Sequence, residues 1–206
     1  MFLLYAVIAY FLFSEYPESL NLDLAVETVF ALLVLGFSFL DYKRILKLYQ
    51  LPKLNIKIIG FTFLFPIVSA LTVYFSIEFI NTHLFESIGE NYFYSYMYLD
   101  NPLPWAILFV AITPPVFEEL AFRGFLFNQL EGIISTKATI IATAFIFALI
   151  HFSFISLLWI FPFGLLLGYL RSKYQTLWYG IVIHFIHNFI VLMIDYFYYN
   201  QSIFNI

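Results

Sequence analysis

The sequence predicts an all-α fold, a polytopic membrane helix bundle of six to seven transmembrane helices, and three observations carry that prediction. Hydrophobic residues make up 63% of the 206 positions and charged residues only 11%, whereas a soluble domain holds about 45–50% apolar and about 25% charged residues. The apolar residues are gathered into long runs. The charges fall between the runs. Too few ionised groups remain to coat a water-facing surface, so the solvent of this chain is lipid. With no Cys there is no disulfide scaffold, and a formal net charge of −4 leaves no basic stripe to meet the phosphates of a nucleic acid.

A helix needs roughly 20 apolar residues to cross a hydrocarbon core of about 30 Å, and it satisfies its own backbone hydrogen bonds on the way. Residues 1–13 form the shortest run. They have the length of a signal peptide's apolar region, but no Lys or Arg precedes them and no small-residue cleavage site follows, so they read as a retained, tilted helix. Residues 24–40 form the second run, bounded by Glu15, Glu18 and Asp23 before it and by Lys43, Arg44, Lys47, Lys53 and Lys57 after it. Residues 58–80 form the third, followed by Glu86, Glu90 and Asp100. Residues 103–130, 138–151, 154–170 and 176–199 complete the set, with Lys137 before the fifth run and Arg171 and Lys173 after the sixth.

If each run crosses once, every basic residue except Arg123 falls on one side of the membrane. By the positive-inside rule that side is cytosolic, which puts the N-terminus inside and the C-terminus outside. The expected location is therefore integral and multi-pass, in the plasma membrane of a prokaryote. Tyr92, Phe93, Tyr94, Tyr96, Tyr98 and Trp105, together with Tyr196, Phe197, Tyr198 and Tyr199 near the C-terminal end, are expected at the outer interface as an anchoring belt. No internal repeat suggests an inverted-repeat transporter. No Gly/Ser-rich linker divides the chain, so residues 1–206 read as a single membrane domain: helices without motifs over 1–102, and a core over 103–195 that carries them.

Glu27, Glu78 and Asp195 lie near the outer ends of their runs and can reach headgroups or water. Glu118, Glu119 and Arg123 lie about midway along 103–130, where a charge costs roughly 2.5–3.5 kcal/mol to insert and signals function by default. Glu119 and Arg123 are four residues apart and face each other in the favourable acid-before-base order. Glu118 is rotated about 100° away, so the Arg neutralises Glu119 and leaves Glu118 to point at something else. Thr113-Pro114-Pro115 upstream suggests a break in the span, with Thr113 as N-cap, Pro in the first turn of a new helix, and a helix dipole favouring ionised Glu118.

The other polar groups at membrane depth are His151, which ends a run, and His184, His187 and Asn188 in the last one. His184 and Asn188 share a helix face. At about 1.5 Å per residue, Glu118, His184 and His151 lie roughly 18, 12 and 21 Å from the cytosolic ends of their helices. One buried pocket opened from the cytosolic half would collect all three. His187 either borders that pocket or packs against a neighbour, and His83, in a loop, has no expected role.

A carboxylate and imidazoles in a membrane cavity suit activation of water for attack on an amide carbonyl, with Glu118 as general base, His151 orienting the water, and His184 and Asn188 donating to the oxyanion. They equally suit metal-assisted hydrolysis, with Glu118, His151 and His184 holding a divalent metal such as zinc. Glu/His clusters also build proton relays and ion paths. There is no His-Glu-x-x-His helix for a zinc peptidase, no Gly-x-Gly-Asp for a membrane aspartyl protease and no Gly-flanked Ser nucleophile; Ser153 and Ser156 read as helix-boundary hydroxyls.

Glu118-Glu119-Leu120-Ala121-Phe122-Arg123 fits Glu-Glu-x-x-x-Arg, Phe147 to His151 fits Phe-x-x-x-His, and His184 to Asn188 fits His-x-x-x-Asn. In that order on successive apolar helices, they resemble the three motifs of the type II CAAX prenyl protease and bacteriocin-processing family, the Abi or CPBP intramembrane endopeptidases. The resemblance covers about residues 103–195. It implies an all-helical membrane fold with a catalytic cavity reached from the cytosol, Glu118 as catalytic glutamate, His151 as its partner, His184 and Asn188 as oxyanion stabilisers, and Glu119, Arg123 and Phe147 as support. It also implies a membrane-associated peptide or protein substrate, prenylated CAAX-type or bacteriocin-related, and leaves a glutamate mechanism and a metal mechanism both open. The alternative of another class is a catalytically silent immunity or scaffold protein of the same fold. A proton-coupled transporter is disfavoured by the missing repeat.

Overall fold

The computed structural model describes residues 1–52, 55–83, 92–151 and 157–204. Lys53, Glu86, Glu90, Ser153, Ser156 and the start of the 154–170 run lie outside the described residues. Helices dominate, and no strand is found among the described residues. The helices are α1 (Phe2–Glu15), α2 (Leu20–Phe39), α3 (Tyr42–Leu48), α4 (Ile56–His83), α5 (Pro102–Glu131), α6 (Thr136–Leu149), α7 (Leu157–Tyr174) and α8 (Trp178–Phe204). α2, α4, α5 and α8 are long and apolar enough to cross a membrane, and α1 and α6 are shorter apolar helices. The protein is thus an all-α, multi-pass integral membrane bundle. α4 runs on to His83, which closes its last turn, where the sequence suggested a loop.

Two compact units are present. The first comprises Met1–Leu54 and Val116–Ile181. Ser19 caps α2 by accepting from the Leu22 N–H, and Ser135 caps α6 by accepting from Ala138. Leu22, Val26, Phe30, Val34 and Ser38 are the buried residues of α2. That four-residue spacing makes one narrow stripe and leaves the rest of the helix to lipid. α1 docks through rings, Phe2 stacking on Phe122 at 4.3 Å between centroids and Tyr5 lying tilted against Phe30 at 4.8 Å.

α6 and α7 approach closely at glycines. A Cβ on Gly164 would lie 3.2 Å from the Ala144 backbone, and one on Gly168 would lie 3.3 Å from Ile140, the small-residue packing that helices use where lipid removes the hydrophobic drive. The short α3 buries Ile45 and Leu48. Its C-terminal carbonyls hold the chain between α7 and α8: Leu48 O accepts from Leu177 N at 3.0 Å and from Thr176 Oγ1 at 3.1 Å, and Tyr49 O accepts from Trp178 Nε1 at 2.8 Å.

The second unit comprises Asn55–Pro115 and Val182–Ile206. Phe93, Ala106 and Leu192 form its core, lined by Tyr96, Leu103, Val110 and Tyr196. The aromatic residues expected as a belt are therefore divided. Phe93 is buried with Tyr196 set edge-on at 4.9 Å, whereas Tyr94, Phe197 and Tyr198 are exposed.

The expected break at Thr113-Pro114-Pro115 does not occur. α5 is continuous from Pro102 to Glu131, with π-helical turns at Ile107–Ile112 and Leu120–Leu126 on either side of the α-helical Thr113–Glu119. Thr113 is no N-cap: its N–H donates five residues back, to Leu108 O. A proline ring clashes with the carbonyl four residues earlier in an α-helix. The wider π turn relieves that clash and lets the helix run through two prolines. Glu118 consequently stands inside a helix and takes nothing from an N-terminal dipole.

Candidate active site

In the first unit, Arg123 is fully buried and Glu119 is 1% exposed. Arg123 Nη1 donates to Glu119 Oε1 at 2.8 Å, and Nη2 donates to Gly164 O at 3.2 Å. The guanidinium lies over the Phe147 ring, 4.3 Å from its centroid, and Phe122 meets Phe147 edge-on at 5.1 Å. A charge taken out of water needs a counter-ion and hydrogen bonds, and this cradle supplies a carboxylate to Nη1, a carbonyl to Nη2 and a π face. Gly180 completes it. A Cβ there would lie 2.6 Å from Glu119 Oε2, and the carboxylate has no freedom to yield because Arg123 holds its other oxygen. Gly180→Ala is expected to cost about 1–3 kcal/mol, as overpacking does in a tight core. Thermal unfolding in detergent measures it, and an unchanged melting temperature contradicts the contact.

The second motif explains its own spacing. Phe147 O lies 2.8 Å from His151 Nδ1, one helical turn on, and the two rings meet edge-on at 5.0 Å. A carbonyl only accepts, so Nδ1 carries the proton, and in the neutral ring Nε2 presents a lone pair. His151 is exposed just past the end of α6. Phe147 therefore serves both motifs, its ring under Arg123 and its carbonyl on His151.

Glu118 differs from its neighbour. It is half-buried, whereas Glu119 is enclosed. The Tyr5 phenol of α1 lies within electrostatic reach of Glu118 and Glu27, and Phe30 contacts the rings of both Tyr5 and Phe117, at 4.8 and 6.4 Å between centroids. The motif-free N-terminal region thus supplies part of the surroundings of Glu118. Outside the spans, burial and then the Glu119 carboxylate raise the Tyr49 phenol above its ordinary range.

Sequence reasoning placed Arg171 among the charges that set orientation. In the structure it is 4% exposed. Its Nε donates to Arg123 O at 3.0 Å, Nη1 to Glu131 Oε2 at 3.4 Å, and Nη2 to Asn128 Oδ1, while the guanidinium lies over Phe127 at 4.2 Å. Asn128 Nδ2 in turn donates to Asp41 Oδ2 at 2.7 Å. Arg171 thus fastens the π turn that follows the glutamates. Among its signals in the sequence, only its place in the last turn of an apolar helix hinted that it could fold back on carbonyls.

In the second unit His184 is buried at 4% exposure, and His187 and Asn188 are half-buried. Asn188 Nδ2 donates to Val110 O at 3.0 Å. Glu118, Glu119, Arg123, Phe147 and His151 belong to the first unit, and His184 and Asn188 to the second. Among the described residues no group of three His, Asp or Glu side chains is gathered as a ligand set for a metal ion.

No curated protein and no solved structure matches the chain. One family model does, described as type II CAAX prenyl endopeptidase Rce1-like, over residues 100–190. The match spans all three motifs: Glu118 to Arg123, Phe147 to His151, and His184 to Asn188. The stretch of this chain from 100 to 190, with the three motifs it carries, is thus similar to the type II CAAX prenyl endopeptidase family.

Proposed function

We propose that the protein is an intramembrane endopeptidase that hydrolyses a peptide bond near the C-terminal end of a membrane-associated substrate, with Glu118 as general base. The observation that supports this best is the division of labour between adjacent glutamates. Glu119 is enclosed and ion-paired to Arg123, whereas Glu118, one residue earlier in the same helix, is only half-buried. In this reading Glu118 removes a proton from water as the water oxygen attacks the carbonyl carbon. His151 Nε2 accepts the other water hydrogen and fixes the direction of attack. The carbonyl π pair moves onto oxygen, where His184 and Asn188 donate to the oxyanion. Collapse re-forms the carbonyl, breaks the C–N bond and passes the proton held by Glu118 to the leaving nitrogen.

The substrate class is a prenylated CAAX-type protein or a bacteriocin-related peptide, presented from the cytosolic side with the N-terminus of the enzyme cytosolic. The test is cleavage by the purified, folded protein in detergent, with farnesylated CAAX peptides, their unprenylated forms and bacteriocin leader peptides in ¹⁸O-water. The expected product carries one ¹⁸O in its new carboxylate. Failure to cleave any of them by protein with a sharp thermal transition overturns the reading and favours a silent immunity or scaffold role. Chelation followed by exhaustive metal removal is expected to leave the rate unchanged. Loss of activity restored by zinc instead assigns the water to a metal.

A further inference from the structure

In α5 the carbonyl of Val110 is cut off from every main-chain donor that a helix offers. The α register would supply the N–H of residue 114 and the π register that of residue 115, and both are prolines. The tighter register would use the N–H of Thr113, which donates to Leu108 O instead. A carbonyl without a partner is costly anywhere and more so at membrane depth, where no water substitutes. Asn188 of α8 meets this need, its Nδ2 donating to Val110 O at 3.0 Å. Val110 packs on the cluster that includes Leu192, one turn further along α8.

We infer that Pro114 and Pro115 are positioning residues: by withholding both donors they reserve the Val110 carbonyl for Asn188, and so fix the orientation of its amide. The inference rests on the reading of Asn188 as an oxyanion donor. A carbonyl acceptor admits only the nitrogen end of the carboxamide, which settles which way the amide faces. That nitrogen carries two hydrogens. One is held by Val110, and the planar group then directs the second along a fixed line, available to a substrate oxygen without further ordering. Preorganised donors of this kind stabilise an oxyanion because they need no reorientation as charge develops. The diproline, which looks like a helix breaker in the sequence, acts as a way of assigning one carbonyl to one side chain.

The test is a cycle between Asn188→Ala and the pair Pro114→Ala/Pro115→Ala, which gives Val110 O its backbone donors back. In detergent, Asn188→Ala is expected to lower the melting temperature in the native background and to lower it clearly less in the Pro114→Ala/Pro115→Ala background. Equal losses in both backgrounds overturn the inference. In turnover, Pro114→Ala/Pro115→Ala is expected to reduce kcat about tenfold with KM unchanged, less than the roughly 10²–10³-fold that removal of an oxyanion donor causes. An unchanged kcat shows that the amide needs no such aiming. Pro114→Ala alone, which restores only the α-register donor, serves if the double substitution does not fold. The thermal arm needs no substrate, so it decides the Val110 contact even if the wild type cleaves nothing and the functional reading fails.

Discussion

Replacing Arg123 by methionine is expected to leave little folded protein in detergent. The side chain is fully enclosed, and its loss removes the cation beside Glu119, a carboxylate at 1% exposure. Breaking one partner of such a pair costs about 3–5 kcal/mol, a large part of the stability of any domain. Arg123→Lys is not a rescue. A lysine has one ammonium in place of the fork that reaches Glu119 at 2.8 Å and Gly164 O at 3.2 Å at once. The informative control is Glu119→Gln/Arg123→Met, which removes both charges and is expected to recover most of the melting temperature lost by Arg123→Met alone. If Arg123→Met unfolds no more readily than the wild type, the buried pair is not what holds α5, α6 and α7 together.

How much of this was legible beforehand differs by element. Helices and their apolar character were plain, because lipid forces nearly every non-polar side chain to declare itself in a run. The facing of Glu119 and Arg123 was also legible, since a four-residue spacing is a local property of one helix. So was the different setting of the two acids, Glu118 half-buried where Glu119 is enclosed, which follows from rotation by one residue.

What the sequence did not disclose is where backbone and long-range packing override local rules. Thr113-Pro114-Pro115 has the composition of a helix start, and only the π turn at Ile107–Ile112 reveals that the helix passes through it. Arg171 resembles a cytosolic anchor until its bonds to Arg123 O and Asn128 are seen. Gly164 and Gly180 carry no side-chain signal at all; their role is the absence of a Cβ beside Arg123 and Glu119. Phe2 and Tyr5 lie in a stretch without motifs and still reach Phe122 and the surroundings of Glu118.

Glu118→Gln carries the other large effect. The change keeps shape and burial while removing the base, so the fold is expected to survive and the reaction to fail. General-base catalysis contributes about 10²–10⁴-fold, and kcat is expected to fall by that amount with KM little altered. His151→Ala is expected to act in the same direction, because its Nε2, aimed by the Phe147 carbonyl, has no substitute. Neither side chain belongs to the enclosed ion pair, which separates a loss of chemistry from a loss of structure.

The most direct test is therefore the initial rate of peptide cleavage by purified wild type, Glu118→Gln and His151→Ala, each shown by thermal unfolding to be folded. The expected result is full-length substrate with both variants at times when the wild type has converted it, with melting temperatures close to wild type. Cleavage at the wild-type rate by both variants contradicts the assignment of Glu118 as the group that activates water.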